Sequence, residues 1–475
     1  MRRRISAFWL IIWGINSCFA QLPVPLGSEQ QLWLEARRLQ EREFHTAIQP
    51  LFLETNDTFF IKPVIEAHLY AGGENFGILG LGPETYWKKN NLSIWLTAPI
   101  GTAHNPSWWQ HNTMPFIGRA IRLDDGLLWT DVRLILSYKT KYITFQAGRS
   151  KFHLGQADGS VWLNDYAPAL PFVRAIVQVP HVVYGYQINY LQNPDLRFGG
   201  RLQHAFNFTH YLDFNFGPLT INMFETVVQD PIDSLGARRG LDVNYFNPVI
   251  FFRAVDLLLG SPDNVLLGLG GSLRLKKKIL LYGYGILDEM IVSQLLSGNK
   301  CWCLKYGANA GMKIFHPLSG DRLLFLQVEI SGVRPYTYSH DNPVLAYGAL
   351  YQPLAHPLGA NFYQTLAKAT LINNEKFSVD IRASASVFGQ DIDTLNYGKD
   401  IFRSYLTRVA DMGVITTQGQ KTTLFYLELG LGKKLRPNLW LRTALIYTRL
   451  TDRPPLSLLN ISLSSGLIRP RWDWR

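Results

Sequence analysis

The chain alternates apolar and polar side chains with a period of two from about residue 60 to residue 468. This pattern predicts β-strands, because successive side chains of a strand point to opposite faces. In one clear example Val132 and Leu136 point one way, while Arg133 and Ser137 point the other. The alternation is clearest in three predicted hairpins, at residues 131–149, 265–287 and 424–447.

The alternation favours a membrane-spanning barrel. One apolar face and one small or polar face suit lipid outside and a wet or plugged lumen inside. We count roughly sixteen to eighteen segments of about 9 to 11 residues, as in large outer-membrane barrels. The soluble alternative is a β-sandwich or propeller, but its regular turn signals or its repeat of about 40 to 50 residues are not visible. We therefore predict an all-β fold, a transmembrane antiparallel β-barrel of about 16–18 strands.

The predicted connections between strands are uneven in length. Residues 276–278 and 433–438 are short and basic, whereas residues 101–114, 230–243 and 341–361 are long and rich in Pro, Asn and Gly. Outer-membrane barrels place short turns in the periplasm and long loops outside. We expect the long connections at the cell surface.

The N-terminus has the features of an export signal. Arg2, Arg3 and Arg4 precede a short apolar stretch, and small residues up to Ala20 suit cleavage before Gln21. Acylation at Cys18 is the alternative, but the residues before it form a poor lipobox.

The predicted organisation has three parts. Residues 1–20 are a signal peptide, residues 21–55 a periplasmic segment with a helix at 28–42, and residues 56–475 the barrel. Beyond the signal peptide, no apolar run approaches the ~18 residues of a spanning helix. The predicted location is the outer membrane.

Composition agrees with a membrane barrel. Charged residues make up 17% and aromatic residues 13%, whereas soluble proteins carry about 25% charged residues. Cys301 and Cys303 would share one face of a strand, where a disulfide would be strained, so we interpret them as packing residues. A disulfide framework is not expected.

The net charge of +11 indicates that the expected partner is negatively charged. No zinc knuckle or helix-turn-helix pattern is present, so nucleic acid is not expected. Anionic lipid headgroups or an acidic polysaccharide fit an exported basic protein better.

The motifs of common hydrolases do not occur in the sequence. It contains no Gly-x-Ser-x-Gly elbow and no His-Glu-x-x-His zinc motif. Adjacent carboxylates such as Asp288 and Glu289 would point to opposite faces of a strand and are poor acid–base partners. We predict no enzymatic activity, no metal site and no cofactor.

Some segments are denser in Gly, Pro and aromatic residues than a barrel wall requires. They are residues 148–165, 247–253, 334–341 and 351–362. In these segments the chain resembles the Bacteroidetes branch of the capsule assembly protein Wzi family, and it is similar to gliding motility proteins of the RemB type. The resemblance extends from the N-terminal helix to the last strand. It implies a large outer-membrane barrel without known catalysis that organises exported polysaccharide or supports gliding.

The same segments supply candidate contacts to an acidic polysaccharide. Aromatic rings offer flat apolar faces with polar edges, and arginines offer planar donors for carboxylates. The candidates are Arg149, Arg253, Arg334, Tyr336, Tyr338, His340, Tyr351, His356 and Asn361, with Trp108 and Trp109 as further aromatic faces. The alternative for each is a structural role, as an interfacial aromatic, a scaffold arginine or a loop histidine.

The leading prediction is a non-enzymatic barrel that binds or organises surface polysaccharide or supports gliding. A diffusion channel or transporter is the alternative, and a barrel hydrolase ranks last. Expected partners are outer-membrane lipid, acidic polysaccharide, and other secretion or motility proteins.

Overall fold

The computed structural model describes residues 58–465 apart from some internal stretches. The stretches outside the description are 73–74, 105–112, 115–117, 124–125, 199–200, 234, 248–262, 290–291, 374–375, 437–438 and 452. The predicted signal peptide and N-terminal helix therefore lie outside the described residues, as do Trp108, Trp109 and Arg253.

Nearly all regular structure in the described part is β-strand. The strands are β1 (Thr58–Gly72), β2 (Phe76–Lys89), β3 (Leu92–Thr97), β4 (Ile100–His104), β5 (Thr113–Met114), β6 (Gly118–Leu123), β7 (Gly126–Thr130), β8 (Arg133–Lys139), β9 (Ile143–Ser150), β10 (Leu170–Val179), β11 (Val182–Phe198), β12 (Arg201–Phe216), β13 (Leu219–Gln229), β14 (Asn264–Leu275), β15 (Ile279–Glu289), β16 (Lys305–Leu318), β17 (Arg322–Val333), β18 (Gly348–Ala349), β19 (Gln352–Pro353), β20 (Phe362–Asn373), β21 (Phe377–Gln390), β22 (Gln420–Arg436), β23 (Leu439–Leu450) and β24 (Leu456–Ser464). A short helix α1 (Val292–Ser297) and 3₁₀ helices at Val243–Phe246, Pro343–Leu345 and Tyr405–Thr407 complete the elements.

The wall is one closed antiparallel sheet. Each wall strand pairs with its neighbour in sequence, and β24 pairs with β1, for example Leu463 with Ala67. Strands β3 and β4 share one position beside β2, and β7 and β8 share the next. The barrel therefore has 18 strands, as predicted, and the sandwich alternative is wrong. The three predicted hairpins are β8–β9, β14–β15 and β22–β23.

The wall has an apolar exterior. On the first hairpin Val132 and Leu136 are exposed, whereas Arg133 and Ser137 are buried inside. Exposed apolar side chains recur around the outside of the barrel, for example Leu445 on β23, which is 58% exposed. Such an apolar surface is unfavourable in water but favourable in the hydrocarbon of a membrane. Lipid cannot form hydrogen bonds with backbone N–H and C=O groups, and a closed sheet pairs these groups with one another. This is the exterior of a membrane-spanning barrel.

The inner face of β15 is aromatic rather than polar. Tyr282 and Tyr284 point inward and are buried, while Gly283 and Gly285 occupy the outer face. The sequence pattern predicts the alternation correctly, but it predicts a small or polar lumen. The difference arises because a folded segment inside the barrel packs against this strand.

The two ends of the barrel differ in their connections. At one end, which we call the turn end, strands are joined by short turns such as residues 140–142, 276–278 and 319–321. At the other, the loop end, connections are as long as residues 334–361 and 391–419. Of the three predicted long connections, residues 230–243 and 341–361 fall at the loop end, whereas residues 101–104 of the predicted connection 101–114 belong to β4 and residues 113–114 to β5. In outer-membrane barrels in general, short turns lie in the periplasm and long loops outside, so the placement of the loop end at the cell surface stays a prediction.

Helices contribute little to the described structure. Within the described ranges, no helix is both long and apolar enough to cross a membrane.

The largest packed core lies inside the barrel. Two connections from the loop end fold into the lumen, the first inward segment (residues 151–169) and the second inward segment (residues 334–361). Their buried side chains, including Trp162, Tyr338 and Leu354, form one cluster with inward-facing wall residues. The lumen at this level is filled by protein.

Cys301 and Cys303 form a disulfide, so their interpretation as unbridged packing residues is wrong. The prediction assumed a strand, which would separate the two sulfurs along one face. The residues instead form a turn at the loop end, and the turn brings their Cα atoms to 5.2 Å.

Candidate functional site

Ion pairs hold the first inward segment across the lumen. The Asp158 carboxylate contacts the ammonium of Lys368 on β20 and accepts a hydrogen bond from Arg382 on β21. The backbone N–H groups of Asp158 and Gly159 donate to the Glu329 carboxylate on β17, at 2.7 and 3.1 Å. Charges on three wall strands therefore fix the middle of the segment.

Trp162 fixes the next turn of the same segment. Its indole stacks on Phe224 at 5.4 Å and lies edge-on to Tyr284 at 4.9 Å. Its Nε1 donates to the Gly285 carbonyl at 2.8 Å. A Cβ atom at Gly268 would lie 2.4 Å from that Nε1, so the wall needs glycine there.

The second inward segment is bonded to the first. The Tyr338 hydroxyl donates to the Val161 carbonyl at 2.8 Å, and the Asn164 N–H donates to the Leu354 carbonyl at 2.8 Å. Tyr338 has φ 72°, in the left-handed region. Such a conformation costs a non-glycine residue about 1 kcal/mol or more, and it is held here by complete burial of the side chain.

Arg334 begins the second inward segment and binds backbone rather than solvent. Its Nε donates to the Leu304 carbonyl at 2.7 Å. Its Nη2 donates to the carbonyls of Cys301 and Val414, each at 3.2 Å. The guanidinium thus connects three chain segments at the loop end.

Four further predicted site residues are buried within the same region. Tyr336 donates to the Asn396 carbonyl at 2.8 Å, and His356 lies 3.2 Å from Gln364 Oε1. Asn361 Nδ2 donates to three backbone carbonyls, those of Gly389, Tyr397 and Gln418. Tyr338, described above, is the fourth. Their polar atoms are engaged by protein groups.

The remaining predicted residues are more accessible or lie elsewhere. Tyr351 is half-buried and edge-on to Phe402 at 6.0 Å. His340 is half-buried, and burial lowers its pKa to about 4. Arg149 is on β9, well away around the barrel from β17 and β20, and bonds to the Val132 carbonyl. The structure therefore brings together the candidates of residues 334–361 and separates Arg149 from them.

A partly exposed aromatic group lies above the second inward segment at the loop end. It consists of Trp302, His340, Tyr405 and Arg408, which we call the loop aromatic cluster. The Trp302 ring is 4.7 Å from Tyr405 and 4.2 Å from the Arg408 guanidinium, and His340 lies 5.8 Å from Tyr405. Arg408 is also paired with Asp411 at 2.6 Å. The rings and the guanidinium contact one another, and each member of the cluster remains partly exposed.

Sequence reasoning missed most of this cluster. Only His340 was among the candidates. The Cys-Trp-Cys motif is visible in the sequence, but its assignment to a strand concealed that Trp302 is presented by a loop. Residues 403–408 carry Arg, Tyr and Arg in a short stretch and were the available signal.

A second basic feature lies where the first inward segment leaves β9. Lys151, at the start of the first inward segment, has its pKa lowered to about 7 by burial and by the nearby Arg133 cation.

Among the residues that the structure describes, no cluster of three His, Cys, Asp or Glu side chains is arranged for a metal ion.

Comparison with known proteins gives a structural likeness. Neither a protein-family model nor a curated protein sequence matches the chain. The structure of Wzi from Escherichia coli, an outer membrane protein involved in group 1 capsule assembly and a carbohydrate-binding β-barrel, aligns with a TM-score of 0.57. The alignment has 13% identity and covers 93% of this chain and 89% of that chain.

This chain has a Wzi-like barrel fold. OpdK from Pseudomonas aeruginosa aligns at a TM-score of 0.45 with 8% identity, over 86% of this chain and 98% of that chain. A BenF-like porin from Pseudomonas fluorescens Pf-5 aligns at 0.47 with 6% identity, over 86% and 97%. At 13% identity the likeness to Wzi concerns the fold alone.

Proposed function

We propose that this protein is a non-enzymatic outer-membrane barrel that binds or organises surface polysaccharide through the loop aromatic cluster. The observation that carries the proposal is the architecture of the loop end. Two inward segments fill the lumen, and the half-buried Trp302, Tyr405 and Arg408 lie together at the loop end. In this proposal a cleaved signal peptide directs export.

The chemistry of the cluster suits an acidic sugar polymer. Trp302 and Tyr405 provide apolar ring faces on which sugar rings stack, while their edges remain polar. Arg408 adds a planar cation that binds carboxylates in bidentate geometry. The solved Wzi structure is itself described as a carbohydrate-binding barrel, which supports the same class of ligand here.

The proposal includes two roles, because the sequence resembles both capsule assembly proteins and gliding motility proteins. In a capsule role the protein holds exported polysaccharide at the surface, and in a gliding role of the RemB type it contributes to surface motility. Deletion of the gene separates the two. Loss of surface-attached polysaccharide in a stain supports the first role, and loss of spreading with normal polysaccharide supports the second.

Glycan binding by the purified, detergent-solubilised protein tests the proposal directly. We expect binding to acidic polysaccharides on a glycan array and at least tenfold weaker binding by Trp302→Ala and Tyr405→Ala. Tyr142→Ala is the matched control, because Tyr142 is 48% exposed at the opposite, turn end. Unchanged binding by both cluster variants would contradict the proposal.

A further inference from the structure

The turn end of the barrel carries an excess of basic side chains. Eight turns join neighbouring wall strands at this end, and six of them have an exposed lysine or arginine among the described residues. The acids in the sequence of these turns are Asp321, which is exposed, and Glu375, which lies outside the described residues. One exposed cation from each of the six turns is Lys89, Lys141, Lys277, Arg322, Lys376 and Arg436.

The turn between β14 and β15 concentrates three cations. Lys276, Lys277 and Lys278 are consecutive and exposed, and the Lys278 N–H donates to the Leu275 carbonyl at 3.2 Å. Like charges held this close repel one another, and a nearby anion offsets the repulsion. Leu275, which ends β14, is 39% exposed, so the three ammonium groups follow directly on the apolar exterior.

Lys433 places a cation on the outer face of the wall itself. It lies between Leu431 and Leu435 on the outward side of β22, and these two leucines are 53% and 48% exposed. Directly opposite Lys433 on the neighbouring strands are Phe377 and Leu441, which are also exposed. A lysine in such surroundings lays its stem along the apolar surface and extends its ammonium to the polar boundary of the membrane. Lys433 therefore has the environment expected at the depth of lipid headgroups.

Exposed tyrosines occur at the same end of the wall. Tyr138 continues the outward face of β8 two residues beyond the exposed Leu136, and Tyr142 lies in the turn that follows. The Lys141 ammonium lies 4.8 Å from the centre of the Tyr142 ring. Tyrosine is enriched at membrane–water boundaries, because its ring is apolar and its hydroxyl is polar. Cations and boundary aromatic residues thus share the turn end.

The loop end has a different charge pattern. Exposed carboxylates such as Asp393, Asp400 and Asp411 accompany its cations. Arg408, for example, pairs with Asp411 at 2.6 Å. An anionic partner is therefore favoured at the turn end rather than at the loop end.

We propose that the turn end binds the phosphate headgroups of anionic phospholipids in the surrounding leaflet. A lipid fits better than a soluble acidic protein, because Lys433 and Tyr138 are on the lipid-facing side of the wall. Basic side chains near an anionic membrane surface attract its headgroups, and the attraction falls off within a Debye length. The surface is separate from the loop aromatic cluster, so the proposal does not depend on carbohydrate binding.

Spin-labelled lipids in vesicles that contain the full chain test the proposal. Electron paramagnetic resonance measures the relative association of phosphatidylglycerol and phosphatidylcholine with the barrel. We expect a preference of about threefold for phosphatidylglycerol at low salt, and its decline toward unity at about 0.5 M salt. Combining Lys276→Gln, Lys277→Gln and Lys278→Gln should reduce the preference to less than about twofold.

The matched control removes the same charge from the loop end. It combines Arg238→Gln, Lys421→Gln and Arg453→Gln, three exposed positions at that end. This control should keep the wild-type preference for phosphatidylglycerol. An equal reduction in the two combined variants would overturn the proposal, because the preference would then follow total charge and not the turn end.

The wild-type measurement alone decides the proposal if the lysine variant does not fold. Equal association of the two lipids with the wild-type protein at low salt would overturn it. Soluble polyglutamate is the probe for the other class of partner. Absence of a lipid preference, together with polyglutamate binding that the lysine variant loses, would assign the surface to an acidic protein and overturn the proposal. Trp302→Ala should leave the lipid preference unchanged, so this test is independent of the proposed glycan site.

Discussion

The Asp158 carboxylate in the middle of the first inward segment accepts a hydrogen bond of 3.0 Å from the Arg382 guanidinium on the barrel wall. Lys368 contacts the other carboxylate oxygen. The segment is therefore tied to β20 and β21 by charge, in addition to the packing of Trp162 on β13 and β15. Its displacement would open the lumen.

Asp158→Asn should therefore loosen this segment and increase conductance. Removing one partner of a buried ion pair costs about 3–5 kcal/mol, because the remaining cations lose their anion. We expect low conductance for the wild-type protein in planar bilayers and larger, fluctuating currents for Asp158→Asn. Asp393→Asn, at an exposed loop position, should behave as wild type. Large steady currents through the wild-type barrel would favour the channel alternative instead.

Gly268→Ala should destabilise the barrel through Trp162. The new methyl group would lie 2.4 Å from the indole Nε1, and overpacking of this kind costs about 1–3 kcal/mol. Gly285→Ala is the control, since its nearest neighbour beyond the adjacent residues would be 3.8 Å away. Urea unfolding in lipid vesicles, followed by the gel shift of the folded barrel, measures both. Equal midpoints for the two variants would contradict the packing described for Trp162.

Acidification should destabilise the loop end through His340. Burial lowers its pKa from 6.5 to about 4, so between these values the unfolded chain binds the proton and the folded chain does not. Stability contributed by neutral His340 is present above pH 6.5 and is lost as the pH falls to about 4. Hydrogen exchange of residues 334–361 at pH 7 and pH 4.5 measures the change. In His340→Gln the pH dependence should be smaller, and an identical dependence would refute the assignment.

Lys277→Gly should stabilise the turn between β14 and β15. Lys276 and Lys277 have φ of 49° and 56°, in the left-handed region that favours glycine. We expect a gain of about 0.5–1 kcal/mol, the difference between the steric cost of lysine and the entropic cost of glycine. Lys278 does not adopt a positive φ, so Lys278→Gly should reduce stability. The same unfolding assay compares the two, and a loss of stability in Lys277→Gly would count against the turn geometry.

The wall of the barrel was predictable from the sequence, since the period of two is a local property. Val132 and Arg133 already show which face meets lipid, and the turn at residues 276–278 was placed correctly. The predicted strand number also agrees with the 18 strands found.

The interior was not predictable in the same way. The composition of residues 148–165 and 334–341 marked both as unusual, but the contact between Tyr338 and Val161 spans 177 positions. No periodicity encodes such a pairing. Tyrosine and arginine suit both sugar binding and burial, so Arg334 and Tyr336 were candidates on chemistry alone. The binding role of the nine candidates stays a prediction.

The seam between β1 and β24 has a consequence for biogenesis. Ser464 Oγ donates to Glu66 Oε2 at 2.6 Å across 398 positions, so the cylinder cannot close until its final strand arrives. Until then the edges of β1 and β24 stay unpaired, and unpaired strand edges promote aggregation. Pairing across so large a separation is also slow. The unclosed chain should therefore depend on periplasmic chaperones for longer than a protein assembled from local contacts.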